Sequence, residues 1–471
     1  MINPRFAGAL APILALVSLL IGSDAQAAEA APASAYVVLG EDGARIVRTV
    51  TAAAACPGLL VDGQPQVMTP RAPAQTVPQR PTRSDPSQSK PSVFDAAVCE
   101  AVLPTSAHAA SIAGRKLPLP PAVIRRIVVI GDTGCRIKLA DQAFQACNDA
   151  KAYPFAKVAA SAARWKPDLV IHVGDYLYRE NACPAGMAGC AGSVWGYGLD
   201  AWRADFLTPA DPLLRASAWA AVRGNHESCA RAGQGWWRLL DPRPLVAGRD
   251  CDVAAHDDVG DYSDPYAIPL GDQSQLIVWD SSNAPNGPMG AADPRFARYS
   301  DAQAKIAALA ARAPHNLLAD HHPMLAFAAS EGKSDKVKIH AGNPGLQSAF
   351  AAADPKLFPA SVDLLLSGHV HVWEAVGFAG DYPAQIVAGF SGTQEDIVPL
   401  PAKAPASPEI APGAVVAAFS SWVDGFGFMT MTRTGPGAWA AEVRDVDGKV
   451  VDTCHLDGRK LSCDKDQVPR H

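Results

Sequence analysis

Three short, uninterrupted apolar runs each lead to a glycine followed by a metal-ligand type of side chain. Residues 126–130 (Arg-Ile-Val-Val-Ile) lead into Gly131-Asp132, residues 169–173 into Gly174-Asp175, and residues 218–222 into Gly224-Asn225-His226. An apolar run of this length without polar alternation is expected of a strand buried on both faces, as in a sheet of an α/β fold. Ala-rich stretches suited to helix, such as residues 157–164, lie between the runs. The alternation predicts an α/β fold with its functional groups at the carboxyl ends of the strands. Residues 276–279, 316–319, 362–366, 385–387, 426–432 and 439–443 are further strand candidates. The last two predict a hairpin closed through Arg433-Thr434-Gly435-Pro436-Gly437.

At 471 residues the chain exceeds the usual size of one core, so two domains are expected. Residues 1–27 combine Arg5, an apolar run over 7–21 and the small-residue site Ala25-Gln26-Ala27. That is the three-part pattern of a cleaved export signal, and the run is short for a membrane span. The expectation is an exported protein, periplasmic or extracellular, without a stable membrane anchor. Ten cysteines fit an oxidising compartment. Their order suggests pairing between neighbours, Cys56 with Cys99, Cys135 with Cys147, Cys183 with Cys190, Cys229 with Cys251 and Cys454 with Cys463. A thiolate zinc site would need closely spaced Cys-x-x-Cys pairs, and the sequence has none.

Residues 28–120 read as a small β-rich N-terminal domain. It opens with two β-runs within residues 35–50, joined by a Gly40-Glu41-Asp42-Gly43 turn. A Pro/Gln/Ser segment over about 64–91 has too few apolar groups to build a core, and reads as an extended excursion or mobile loop. Structured text returns at 96–103 and 110–117, and the prolines of 118–121 mark a stiff boundary before a catalytic domain over 121–471. The net charge of −6 leaves no basic footprint for nucleic acid. An acidic chain that binds phosphate needs a local cation, which points to metal.

Asp132, Asp175 and Asn225 therefore stand at three strand ends in one half of the chain, and His321, His369 and His371 at two strand ends in the other. All are hard or intermediate donors that divalent and trivalent metals accept. No Gly-x-x-x-x-Gly-Lys, His-Glu-x-x-His or Gly-x-Ser-x-Gly motif offers a competing chemistry. His172 lies inside a strand and reads as a satisfied core residue or as one that supports the metal ligands from behind. His108, His256, His315, His455 and His471 read as surface or packing residues; Trp236, Trp237 and Trp373 read as packing aromatics first, with lining of the cleft as the alternative.

The segments Gly131-Asp132-Thr133-Gly134, Gly174-Asp175-Tyr176-Leu177-Tyr178, Gly224-Asn225-His226-Glu227, Leu318-Ala319-Asp320-His321 and Gly368-His369-Val370-His371 resemble the five motif blocks of the calcineurin-like metallophosphoesterases. The Asp-x-Gly of the first block, and the tyrosine three residues after Asp175, are similar to those of the purple acid phosphatases. Other branches place histidine where Gly134 stands and lack the tyrosine. The resemblance implies an αββα sandwich behind a small β-sandwich-like N-terminal domain. It implies Asp132, Tyr178 and His371 on a ferric ion, and Asn225, His321 and His369 on a second, divalent ion (Zn, Mn or Fe), with Asp175 bridging. A charge count agrees: two carboxylates, a phenolate and a bridging hydroxide give about four negative charges, which a trivalent–divalent pair exceeds and two divalent ions only match.

The implied function is a secreted phosphatase in which a metal-activated hydroxide attacks the phosphorus of a phosphomonoester. Phosphodiester hydrolysis on the same metals is the alternative, and a non-catalytic exported binding protein that retains the fold is the third reading. His226 is the leading candidate to stabilise the transition state or protonate the leaving group, with Glu227 supporting the metal ligands from behind. Family members often carry another histidine shortly after the fourth block, but residues 325–339 contain none. His322, next to His321, and His340, beyond that stretch, are the other candidates.

Overall fold

The computed structural model describes residues 1, 34–331, 337–394, 404–405, 408–423 and 425–468. The expected export signal and His471 lie outside the described residues. Among them, two large sheets dominate. The first holds eleven strands, with Arg126–Ile130, Leu169–His172 and Ala218–Ala221 parallel to one another at its centre. The second holds seven, with Ser274–Val278, His315–Ala319, Val362–Ser367 and Ala384–Ala388 parallel at its centre.

The sheets pack face to face, which explains the unbroken apolar runs. Ile127, Val129, Ile171 and Ala220 of the first sheet share a core with Leu276, Leu317, Leu364 and Ile386 of the second. The alternate residues Val128, Ile130, Val170 and Trp219 point the other way, onto the helices Phe155–Arg164 and Gly233–Leu239 through Val158 and Trp237. On the outer face of the second sheet, Ile277, Leu318 and Leu365 pack with Ile306 and Leu346 of the helices Pro294–Ala310 and Pro344–Ala353. The result is the expected αββα sandwich. The expected C-terminal hairpin forms from Gly427–Gly435 and Ala438–Asp445, and its first strand pairs antiparallel with Arg126–Ile130.

The N-terminal region is β-rich, and much of it extends the first sheet. Ser34–Leu39 pairs parallel with Ala218–Ala221 at Val38 and Trp219, and Arg45–Thr51, Ala97–Val102 and Thr69–Ala72 follow in order. A separate four-stranded sheet is built from Leu59–Val61, Gln64–Gln66, Ala110–Ile112 and Arg115–Lys116. The Pro-rich stretch is an extended excursion fastened by arginines. Arg71 contacts Glu100 at 2.9 Å and donates to the carbonyls of Trp237, Arg238, Asp241 and Arg243. Arg80 grips both oxygens of Asp257, at 2.8 and 2.5 Å. Guanidinium donors thus do the anchoring that a stretch so poor in apolar side chains leaves undone.

All five disulfides join the neighbours expected from their order. Among the described residues no helix is long and apolar enough to cross a membrane.

Glu374 on Trp373–Phe378 is fully buried and accepts the Phe327 N–H at 2.9 Å, while its second oxygen has no partner among the described residues. Burial raises its pKa from 4.5 to about 8. The folded protein therefore keeps a proton that the unfolded chain releases, and this group lowers stability progressively as pH rises from 4.5 toward 8. In urea titrations across that range, Glu374→Gln is expected to flatten the decline; a slope unchanged by the substitution would show that Glu374 ionises in place.

Candidate metal centre

Every predicted ligand sits just beyond the carboxyl end of a parallel strand. Asp132 follows Arg126–Ile130, Asp175 follows Leu169–His172, and Asn225 follows Ala218–Ala221. His321 follows His315–Ala319, and His369 and His371 follow Val362–Ser367. Because the two sheets are stacked with these ends together, six side chains from five loops, joined by Tyr178, meet in one cluster. Asp132, Asp175 and His369 take left-handed backbone at φ 52°, 60° and 71°. Such strain in residues other than glycine collects where a side chain must be aimed.

The Tyr178 hydroxyl is the centre of one half of the cluster. It lies 3.0 Å from Asp132 Oδ1, 2.7 Å from Asp175 Oδ2 and 2.8 Å from His371 Nε2. In the other half, Asn225 Oδ1 lies 3.0 Å from His321 Nε2 and 2.9 Å from His369 Nδ1. Asp175 joins the halves, since its Oδ2 is also 3.1 Å from His321 Nε2. Ligand atoms of Asp175, His321 and His369 all lie within 4.8 Å of one another.

The donor chemistry fits a metal pair. His321 donates its Nδ1–H to the Val173 carbonyl at 2.8 Å, so its Nε2 lone pair faces two further acceptors, Asn225 Oδ1 and Asp175 Oδ2. His371 is turned alike, with Nδ1 on the Gln394 carbonyl at 2.9 Å and Nε2 toward Tyr178 and Asp132. Acceptors that converge without a donor call for a cation. In the protein alone only protons can fill that role. Against burial, the Asp175 carboxylate raises His321 to about 10. Burial and the Asp175 and Asp132 carboxylates push the Tyr178 phenol well above its ordinary range. Metal binding would displace these protons.

Buried groups outside the cluster hold its loops. One Glu227 oxygen accepts the Tyr176 and Leu177 amides at 2.9 and 3.1 Å, and the other accepts those of Asp175 and Gly224, both at 3.1 Å. The expected supporting role of Glu227 thus acts on main chain, by locking the second motif loop to the third. Asp205, which the sequence did not single out, accepts the Cys135 and Tyr178 amides at 3.1 and 2.9 Å. A Cβ on Gly134 would lie 2.7 Å from the Tyr178 nitrogen and 2.9 Å from Asp205 Oδ2. The glycine of the first block is therefore what admits the Tyr178 loop. A Cβ on Gly224 would lie 2.1 Å from Asp175 Oδ1.

The cluster opens into a cavity of about 490 Å³ that His226, His322 and His340 all line. His226 packs against Tyr178 with ring centres 3.8 Å apart and the rings tilted by 34°, and its Nδ1 lies 2.8 Å from Glu180 Oε1. Glu180 is buried, and Arg231 and His226 outweigh that burial to hold its pKa below the carboxylate range. His322 packs against His369 with ring centres 4.2 Å apart, and its Nδ1 has no partner among the described residues. His340 comes from the strand Val337–Ala341 and contacts Ser330 Oγ at 2.7 Å.

Asn286, whose Oδ1 is 3.1 Å from His369 Nε2, also lines the cavity, as do Arg83, Arg136, Lys138 and Arg231. The sequence reading missed all five. Arg136, Lys138 and Arg231 stand within a few residues of motif blocks and could have been flagged by position; Asn286 and Arg83 carried no signal. His172 is a core residue, stacked on Tyr176 at 3.7 Å, and Trp236, Trp237 and Trp373 are buried packing aromatics, as read from the sequence.

Glu227→Ala would strand four buried amides, each costing about 1–3 kcal/mol if left unpaired. The unfolding free energy in denaturant titrations is expected to fall by at least about 3 kcal/mol, and an unchanged midpoint would mean that the motif loops are held elsewhere.

Residues 125–373, more than half of the chain, match the family model of calcineurin-like phosphoesterases. No curated protein sequence matches the chain. Among solved structures, a purple acid phosphatase from yellow lupin (Lupinus luteus) seeds aligns with a TM-score of 0.53 at 14% identity, covering 92% of this chain and 74% of that one. PhoD aligns with a TM-score of 0.46 at 14% identity over 92% of both chains. A dimetal phosphatase from Danio rerio aligns at 0.36 and 11% identity, over 71% of this chain and 99% of that one. With the five motif blocks gathered at the strand ends, the family match has its structural counterpart: the chain belongs to the calcineurin-like phosphoesterases and is a metal-dependent phosphoesterase.

Proposed function

We propose that the chain is an exported phosphomonoesterase of the purple-acid-phosphatase type, using Fe(III) beside Zn, Mn or Fe(II). The observation that carries this reading is the Tyr178 hydroxyl, within 3.0 Å of Asp132, Asp175 and His371. Asp132, Tyr178 and His371 would hold the ferric ion, and Asn225, His321 and His369 the divalent one, with Asp175 shared. Once bound, the pair supplies a nucleophile from water and polarises the phosphoryl oxygens. A phenolate among two carboxylates adds the negative charge that favours a trivalent ion in one position.

The chain's own groups then bind and orient the ester. The cavity that receives it is lined by both His226 and His322. His226 is assigned to the leaving-group oxygen from its place in the cavity lining beside Tyr178, with Glu180 2.8 Å from its Nδ1. Burial and Arg231 outweigh the nearby carboxylates and lower its pKa to about 4, so in the protein alone it stands as a neutral imidazole. His322 has no carboxylate in contact with its ring among the described residues and takes the secondary place. Five disulfides support export to an oxidising compartment.

Metal analysis and visible spectroscopy test the assignment directly. The purified protein is expected to contain iron and to show a tyrosinate-to-iron absorption band that Tyr178→Phe removes; a colourless protein with two equivalents of zinc would defeat the iron assignment. Asp175→Asn is expected to lower kcat on phosphomonoesters by at least about 100-fold through loss of shared metal binding. A matched panel of monoesters and diesters decides the substrate class, and preference for diesters would replace the monoester reading.

A further inference from the structure

The Pro-rich stretch reaches the cavity through Arg83. The Arg83 amide donates to the Ala230 carbonyl at 2.9 Å, which sets Arg83 alongside Arg231, and both side chains line the cavity above the cluster. An adjoining hollow of about 290 Å³ shares Arg83, Lys138, Asp141 and Arg231 with it and continues past Ser84 and Asn181.

The basic groups around this junction are not equally engaged. Asp141 takes both Arg136, at 2.8 Å, and Lys138, at 2.9 Å. Arg231 Nε lies 3.7 Å from Glu180, whose other oxygen faces His226. The Arg83 guanidinium has no hydrogen-bond, ion-pair or aromatic partner among the described residues, and Arg83 is solvent-exposed. Arg83, Arg136, Lys138 and Arg231 thus share these hollows with Asp85, Asp141, Asp175 and Glu180, and Arg83 is the cation left without a direct partner among the described residues. Partial desolvation and the neighbouring Arg231 charge both oppose protonation of Arg83, and an anion lying between the two guanidiniums would relieve that repulsion.

One phosphoryl group over Asp175 and the histidines leaves this basic junction unused. We propose that the site takes phosphate esters bearing a second phosphoryl group, received by Arg83 and Arg231 while the first lies over the Asp175 cluster. The proposal rests on the phosphoesterase reading and deepens it to a substrate class. Guanidinium suits the task because its planar fork donates two parallel hydrogen bonds to a phosphoryl group.

The test compares fructose 1,6-bisphosphate with fructose 6-phosphate on the metal-loaded enzyme, and pyrophosphate with orthophosphate by calorimetric titration. The wild type is expected to favour the doubly phosphorylated member of each pair. Arg83→Gln should reduce both preferences by about tenfold or more, the worth of one charge-assisted hydrogen-bond pair, and Arg83→Lys should restore part of them. If the sugar phosphates are hydrolysed but Arg83→Gln leaves the ratio unchanged, the second-anion site is overturned and the phosphomonoesterase reading stands. If neither ester is hydrolysed while Arg83→Gln still narrows the pyrophosphate preference, the phosphomonoesterase reading falls and the anion site stands. Equal affinity of the wild type for pyrophosphate and orthophosphate would also overturn it.

Discussion

Asp132 and Asp175 are 0% and 1% exposed and share one tyrosine hydroxyl, so two carboxylates face each other inside the protein. Burying even one ionised carboxylate without a partner is costly, and burying two side by side requires countercharge. The nearby imidazoles and the phenol can supply protons, but only by holding His321 and Tyr178 at pKa values far from ordinary. Metal cations meet the same demand more completely. The surrounding structure is arranged around that need: parallel strands aim five loops at one point, left-handed backbone turns Asp132, Asp175 and His369 inward, and glycines at 134 and 224 leave room for the loops to touch.

Much of this was legible because it is encoded locally. A strand buried on both faces reads as an unbroken apolar run, and Arg126–Ile130 has one set of side chains against the second sheet and the other against helices. Four of the five motif blocks keep a candidate ligand beside a glycine, at Asp132, Asp175, Asn225 and His369, so those candidates could be read block by block, while His321 in the fourth block has no such glycine. Disulfide pairing was legible too, since the bridged cysteines are neighbours 7 to 43 residues apart.

The rest depends on partners that local sequence does not name. Asp205 matters because it meets the Tyr178 amide 27 residues away, and Glu180 because it stands behind His226. Neither has a pattern of its own. Ser34–Leu39 has the composition of a strand, but nothing in it specifies a parallel partner at Ala218–Ala221 rather than a sheet of its own. The Pro/Gln/Ser segment was the least informative text in the chain, since low apolar content says only that it builds no core. Its arginines bind carbonyls and carboxylates of a distant helix and loop, and those contacts fix its course.

That course gives the cavity two kinds of polar lining. Imidazoles stand at the strand ends, joined by His340 from the strand Val337–Ala341, which pairs with Phe327–Glu331. Guanidinium and ammonium groups stand among them, including one delivered by the Pro-rich stretch, and Arg231 meets the same Glu180 as His226. Imidazoles and carboxylates suit metals and proton movement, whereas guanidiniums suit fixed anions and cannot give up a proton at working pH. The motif blocks can therefore conserve the chemistry of the cluster while the N-terminal strands, which extend the same sheet and carry Arg83 to the rim, adjust what the cavity accepts. Selectivity in this arrangement is shared: the excursion brings Arg83, whereas Arg231 comes from the loop after Asn225 and meets Glu180, which also faces His226, so the anion site and the reaction site have a residue in common.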